Sequence, residues 1–348
     1  MLPPFFRDSE KQEIGPTTMS GTSRTLRSSN RHAFLRTLLR GTPMARSDVA
    51  DATGLSTSTV SSIATELLED GTLVETGTAA RTRGRPKVLL ALNDALGTIL
   101  TVRVRRQGVS LVRFSLALEA DQEQRLCDFL PDGNRIHDLI TEAVRSAQSD
   151  TLAIGLVLED DLRSSDVAVM FSTTLSADSI GLADLLRAEL RVPVMIERVG
   201  HLIATSDVLA RTLTPVERKN HVLVQEASAS AVLVQHGRPF PLASPTVVDL
   251  RPAEAFLADR APAGSGEADR APALLQALFI LISYFPVAAA VIQSETWAGA
   301  TAMHLEDHWR RMPWAGEPPR IVVISSPDPL ARLRLLASRA REQALLTP

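Results

Sequence analysis

At 348 residues the chain is too long for one ordinary core, so two or three domains are expected. Its composition, 45% hydrophobic and 22% charged, is that of a soluble globular protein, and the single cysteine, Cys127, excludes an internal disulfide framework or a multi-cysteine zinc site within one chain. The net charge of −3 is unevenly spread: residues 1–90 hold twelve Lys and Arg against nine Asp and Glu. Ser20–Ser47 carries six arginines and no acid, and Thr76–Asn93 carries four cations and no acid. Two basic stretches around an acid-containing middle predict a polyanion-facing surface on a small N-terminal domain. The charged, Pro-broken start is no secretory signal, and a cytoplasmic setting is expected.

Residues 1–28 show no periodicity and read as a mobile leader ending in a basic arm with Arg24 and Arg27. A helix is expected from Asn30 to Arg40, with Phe34 and Leu38 four apart and Gly41 as its stop. Arg46–Thr53 reads as a short helix with Val49 and Ala52 inward. Gly54 follows where a tight turn needs a left-handed residue, Leu55 is the expected buried plug, and Ser56 is a good N-cap. The next helix, Thr57–Asp70, buries Val60, Ile63 and Leu67. Two helices joined by a short Gly-containing turn make a helix-turn-helix.

The second of these helices opens with Thr57, Ser58, Thr59, Ser61 and Ser62. Small hydroxyl side chains suit a helix that enters the major groove, where bulk blocks entry and hydroxyls bond phosphates or base edges. Serines also favour helix starts for purely local reasons, so the surrounding pattern has to decide. After Gly71, Leu73–Glu75 is expected to pair with Val88–Leu92 as a hairpin, or wing. Its tip carries Arg81, Arg83, Gly84, Arg85 and Lys87; "RGRP" is an extended arginine pair fitted to a narrow minor groove. Arg46, Ser56, the five hydroxyl residues and the tip form the expected DNA-binding set.

The run "NRHAFLRTLLRGTPMARSDVADATGLSTSTVSSIATELLEDGTLVETG", with "RGRPKVLLAL" after it, closely resembles the winged helix of ROK repressors, the transcriptional branch of the repressor–ORF–kinase family. The resemblance covers residues 30–92. One departure is Ala45, where family members often have a capping Ser; its loss costs about 1 kcal/mol unless Asp48 compensates. The resemblance implies an α/β protein. The N-terminal winged helix-turn-helix (29–92) would be followed by a two-lobed, actin/hexokinase-like (ribonuclease H-like) sugar-kinase domain (93–348).

The rest of the chain fits that plan. Strands are expected at Thr98–Arg105 and Val109–Ala117, in "TLAIGLVLED", in "RVPVMIERVG" (running into a helix), and as a pair in "NHVLVQEASASAVLVQ". "FPVAAAVIQ" and "PRIVVISS" give late strands, and Pro329–Leu346 holds a closing helix. The most apolar stretch, 273–293, is interrupted by Gln276, Ser283, Tyr284 and Pro286. It reads as a buried helix, Leu274–Tyr284, and a buried strand, Val287–Ile292, not as a membrane span. Residues 251–272, rich in Pro, Ala and Gly, read as a mobile connection.

Phosphoryl transfer needs glycine turns for phosphates, a base and Mg²⁺ ligands. At the family's first phosphate turn this chain has Arg103, Val104, Arg105, Arg106 and Gln107, with Gly108 only later. The family's sugar-binding Asn-Asp pair, whose Asp is the base, falls on Arg198 and Val199, with Glu197 beside them. The second phosphate loop is Glu226–Ser230, and the adenosine-site glycine pair falls on Gln293 and Ser294. The Gly-Glu-x-Gly-His sugar motif and the cysteine-rich zinc loop have no counterpart. Lone His201 and His221 have no ligand partners in the sequence. His304 and His308, spaced i, i+4 beside Glu306 and Asp307, read as a solvated helix face next to Trp297 and Trp309 before a metal site.

The expectation is therefore a non-catalytic, homodimeric repressor. It would bind double-stranded, roughly palindromic operator DNA, with no metal, cofactor or membrane. Its C-terminal pseudo-kinase would serve dimerisation and the sensing of an unidentified small-molecule effector. The alternatives are an active sugar kinase with a vestigial DNA-binding domain, and a regulator that works through a protein partner.

Overall fold

The computed structural model describes residues 19–40, 43–79, 86–146, 150–159, 162, 182–226, 228–239, 248–250, 270–285, 287–294, 300–314, 316–325 and 327–346. The chain divides into two compact units between Asn93 and Asp94.

The first unit contains α1 (Met19–Leu38), β1 (Met44–Ala45), α2 (Arg46–Thr53), α3 (Thr57–Glu69), β2 (Leu73–Ala79) and β3 (Lys87–Leu92). Phe34, Leu35 and Leu38 of α1 share the buried set with Val49 of α2 and Val60, Ile63, Ala64 and Leu67 of α3. These are the i, i+3, i+4, i+7 positions that put one apolar stripe on each helix. The strands form an antiparallel sheet in the order β1-β3-β2, with Met44 opposite Leu90 and Ala45 opposite Leu89. The hairpin is longer than expected, Leu73–Ala79 against Lys87–Leu92, and its register shifts between Glu75 and Gly77; Gly77, at φ 143°, takes a backbone angle that a side chain resists.

Three expectations for this unit are corrected. Residues 19–28 are not a leader but the first half of α1, where Arg27 Nη2 donates to Glu66 Oε2 at 2.6 Å; residues 1–18 and Gly41 lie outside the described residues. Ala50, not Ala52, is the second buried residue of α2, because alanine is too small to mark a face by sequence. Leu55 is half-buried, not a fully buried plug.

The second unit has two sheets of matching plan. In the first, β4 (Thr98–Arg105) and β5 (Gly108–Phe114) form an antiparallel hairpin with β6 (Gln124–Cys127) outside it, and β7 (Thr151–Leu158) and β8 (Val194–Arg198) continue parallel to β4. In the second, β9 (His221–Gln225) and β10 (Ser230–Gln235) are the hairpin, flanked by β11 (Arg238–Pro239) and β12 (Val248–Asp249). There β13 (Ala289–Gln293) and β14 (Arg320–Ile324) run parallel to β9. The central strands are aliphatic on both faces because helices cover both. On one face of the first sheet α4 (Gly133–Arg145) and α5 (Leu182–Leu190) bury Ile136, Ile140, Leu182 and Leu186 against Leu100, Val102, Ile154 and Leu156.

Three short helices, α6 (Val199–Ala204), α7 (Asp207–Thr212) and α8 (Pro215–Lys219), lead from β8 to β9. Helices α9 (Arg270–Ile282) and α10 (Ala300–Arg310) cover the second sheet, and α11 (Pro329–Leu346) closes the chain on the first. The contact of α11 is close: a Cβ at Gly155 of β7 would sit 2.6 Å from Leu336 Cγ.

Boundaries shift here too. The expected strand Val109–Ala117 is Gly108–Phe114, and the chain turns at Leu118 with φ 64°. The expected apolar helix and strand are Arg270–Ile282 and Ala289–Gln293, so residues 270–272 are helical; 251–269 lie outside the described residues. Among the described residues no helix is long and apolar enough to cross a membrane.

Glu217 ties the short connecting helices to the second sheet. It closes a capping box with Thr214 at the start of α8 and accepts from Arg320 Nε of β14 at 2.6 Å and from Arg320 Nη2 at 2.8 Å. The Arg320 guanidinium, against the opposing cost of burial, holds the Glu217 carboxyl well below the usual range, at about 2. A carboxyl depressed on folding contributes stability that is present above its unfolded pKa of about 4.3 and is lost as pH falls toward 2. In a melting series across that window, Glu217→Gln should therefore lose less Tm than the native chain; equal losses would remove this pair from the acid limb.

Candidate nucleic-acid interface

Helices α2 and α3 meet through Gly54, Leu55 and Ser56. Gly54 takes φ 71° and its N–H reaches Ala50 O at 2.9 Å, ending α2 in the left-handed geometry that glycine adopts without strain. Ser56 is extended, and its Oγ accepts the Thr59 N–H at 3.1 Å, starting α3. Ala45 makes no side-chain cap to α2.

The outer side of α3 carries Thr57, Ser58, Ser61 and Ser62, all exposed, with Thr59 half-buried, while Val60, Ile63 and Leu67 face the core. The hydroxyls are not equivalent. Ser56 Oγ lies 2.9 Å from Ser58 Oγ and 2.8 Å from Thr59 Oγ1, so these two support the cap. Thr57, Ser61 and Ser62 show no side-chain hydrogen bond among the described residues and present their hydroxyls outward.

The cations divide as well. Arg46 Nη2 stands 3.6 Å from Glu75 Oε1, and Lys87 Nζ donates to Asp48 Oδ1 at 2.5 Å. The Lys87 ammonium draws the Asp48 carboxyl below its usual pKa, burial opposing it and Ser47 assisting. Arg27 pairs with Glu66 of α3, and Arg31 with Asp70 just past its end. The sequence-level count of positive charge therefore overstates what this surface offers; Glu75 and Asp48 are partners that residue counting missed. Arg81, Arg83, Gly84 and Arg85 lie outside the described residues.

In the second unit, several residues at the positions that the resemblance singled out are buried or paired. Arg103 Nε donates to Glu159 Oε1 at 2.5 Å, and Arg332 Nη1 of α11 donates to Glu159 Oε2 at 2.9 Å, forming a largely buried Arg–Glu–Arg cluster. Val199 is fully buried with no group to accept a proton. Glu197 beside it is half-buried; burial raises its carboxyl pKa, opposed by Arg339 at 3.7 Å. Ser294 Oγ donates to Glu226 Oε2 at 3.4 Å. His221 is buried with its ring nitrogens 3.1 Å from Glu217 O and 3.0 Å from Ala204 O, which is a core histidine's setting. Trp309 is fully buried, its Nε1 donating to Pro319 O at 2.8 Å. Trp297 lies outside the described residues.

No family model matches the chain. It is 27% identical over 179 residues to the xylose repressor of Bacillus spizizenii, covering 48% of this chain and 45% of that protein. It is 26% identical over 178 residues to the xylose repressor of Bacillus subtilis, and 22% over 185 residues to that of Caldicellulosiruptor bescii. The chain thus spans less than half the length of these relatives. Among solved structures, a ROK family transcriptional regulator described as a homolog of the E. coli MLC protein superposes with a TM-score of 0.60. The match has 15% identity and covers 92% of this chain and 98% of that one. The chain has the ROK fold. The two sheets of matching plan are its α/β lobes, and the three N-terminal helices precede them, as the resemblance implied.

Proposed function

We propose that the chain is a sequence-specific DNA-binding transcriptional regulator of the ROK type, a repressor, with residues 29–92 acting as a winged helix-turn-helix. The observation that carries this reading is the two-sided α3. One side buries Val60, Ile63 and Leu67, while the other presents Thr57, Ser61 and Ser62 with nothing bulky between them. A helix built this way can lie in a major groove and bond base edges and phosphates through hydroxyls. The hairpin Leu73–Ala79/Lys87–Leu92 would extend the contact to the backbone and adjacent minor groove through Arg81, Arg83 and Arg85. Similarity to xylose repressors supports the same assignment.

The lobes, in this reading, are a non-catalytic body for dimerisation and for sensing a small molecule. Val199 in place of a base and Glu226 in place of a phosphate cradle would disfavour phosphoryl transfer. Two copies would set two recognition helices on half-sites about one helical turn apart.

Recovery of chain-bound genomic fragments, followed by footprinting, tests the reading: a shared, roughly palindromic sequence is expected, and random recovery would sink it. A coupled assay with ATP and a hexose panel addresses the kinase alternative, with no turnover expected. A thermal-shift screen over the same sugars would expose an effector, since a ligand of the folded state raises Tm.

A further inference from the structure

The hairpin is fastened to α2 by two ion pairs of opposite polarity. The first turn of α2 offers the Arg46 cation to Glu75 of β2 at 3.6 Å, and the Asp48 anion to Lys87 of β3 at 2.5 Å. Lys87 opens β3 and pairs in register with Ala79, so it sits at the last described pair of the hairpin. The pairing of β1 with β3 (Ala45 opposite Leu89) brings the start of α2 alongside that point. Side-chain exposure is 26% for Lys87 and 41% for Asp48, so the ammonium is reachable from solvent while it is held.

A cation so placed has two possible partners, an internal carboxylate or a DNA phosphate. Asp48 has the geometric claim: it is on a helix that is itself packed through buried Val49 and Ala50, and its Oδ1 also accepts from Ser47 Oγ at 3.2 Å. We propose that Asp48 is a positioning residue for the hairpin: by holding Lys87 it fixes the hairpin's base against α2 and withholds that cation from DNA phosphates. Arg46 stands in a looser ion pair with Glu75, at 3.6 Å. Phosphate contact then falls to the tip arginines, and the preference for the right sequence is protected from one indiscriminate contact. This rests on the DNA-binding reading above.

The test uses the full chain in a salt series, with two labelled probes: a random-sequence duplex and the sequence recovered by genomic selection. Lys87→Met should leave the salt slope of binding unchanged, because the lysine contacts no phosphate. Asp48→Asn keeps an acceptor for the Ser47 hydroxyl but removes the charge. It should steepen the slope by about 0.9, the effect of one added phosphate contact, and narrow the preference for the selected sequence. The double variant should return to the native slope. A slope flattened by about 0.9 in Lys87→Met would put the lysine on phosphate and overturn the proposal, as would a native slope in Asp48→Asn. A double-mutant cycle on Tm is independent of DNA: non-additive shifts are expected, and additive ones would show that the two side chains are not coupled. If no variant binds any duplex while the cycle is non-additive, the DNA-binding reading fails and the fastening of the hairpin stands.

Discussion

Ser61→Glu should abolish operator binding, with a loss of about a hundredfold or more, while leaving the fold intact. Ser61 is exposed on the outer side of α3 and shows no side-chain hydrogen bond among the described residues, so its replacement breaks nothing internal. Glutamate is a better helix former than serine, and the site is a full turn past the Ser56 cap, so helix stability should not fall. The penalty arises only on the duplex, where a carboxylate would face phosphates and base-edge acceptors. Like-charge juxtaposition at an interface costs several kcal/mol, and each 1.4 kcal/mol is about tenfold. Ser61→Ala is the control: it removes one hydroxyl and should cost far less. Anisotropy titration reads both variants and thermal melting checks the fold. Native affinity in Ser61→Glu with an unchanged melt would take α3 out of the groove.

That prediction depends on features legible in the sequence. Gly54, Ser56 and the spacing of Val60, Ile63 and Leu67 each constrain the backbone locally, so the turn, the cap and the buried side of α3 could be read before any coordinates. The closing helix Pro329–Leu346 was legible for the same reason, with proline at its first position. The start of α1 was not. Residues 19–29 have no apolar period, and their helix is held to α3 through Arg27–Glu66 and Arg31–Asp70, pairs of residues 39 apart in sequence. Lys87 and Asp48 are also 39 apart. Composition registers such charges but not their partners, so it overstates the basic surface. In the second unit, aliphatic runs gave the strands away because both faces are buried. Strand ends, where an exposed residue and a turn residue look alike, moved by a few positions.

With Arg27, Arg31, Arg46 and Lys87 paired to acids, Arg83 and Arg85 should supply a large share of this unit's phosphate neutralisation. Replacing both by alanine should weaken binding roughly ten- to a hundredfold, from about 1–3 kcal/mol. Counterion release makes the cause testable. Each neutralised phosphate adds about 0.9 to the slope of log affinity against log salt, so losing two should flatten it by up to about two. The loss should thus be greatest at low salt and shrink as salt rises, because the native chain sheds those contacts in any case. A change in fold would instead weaken binding by a similar factor at every salt concentration. An unchanged slope in Arg83→Ala/Arg85→Ala, whatever the loss of affinity, would take the tip off the phosphates and assign the electrostatic part of binding to cations elsewhere, since α3 carries none.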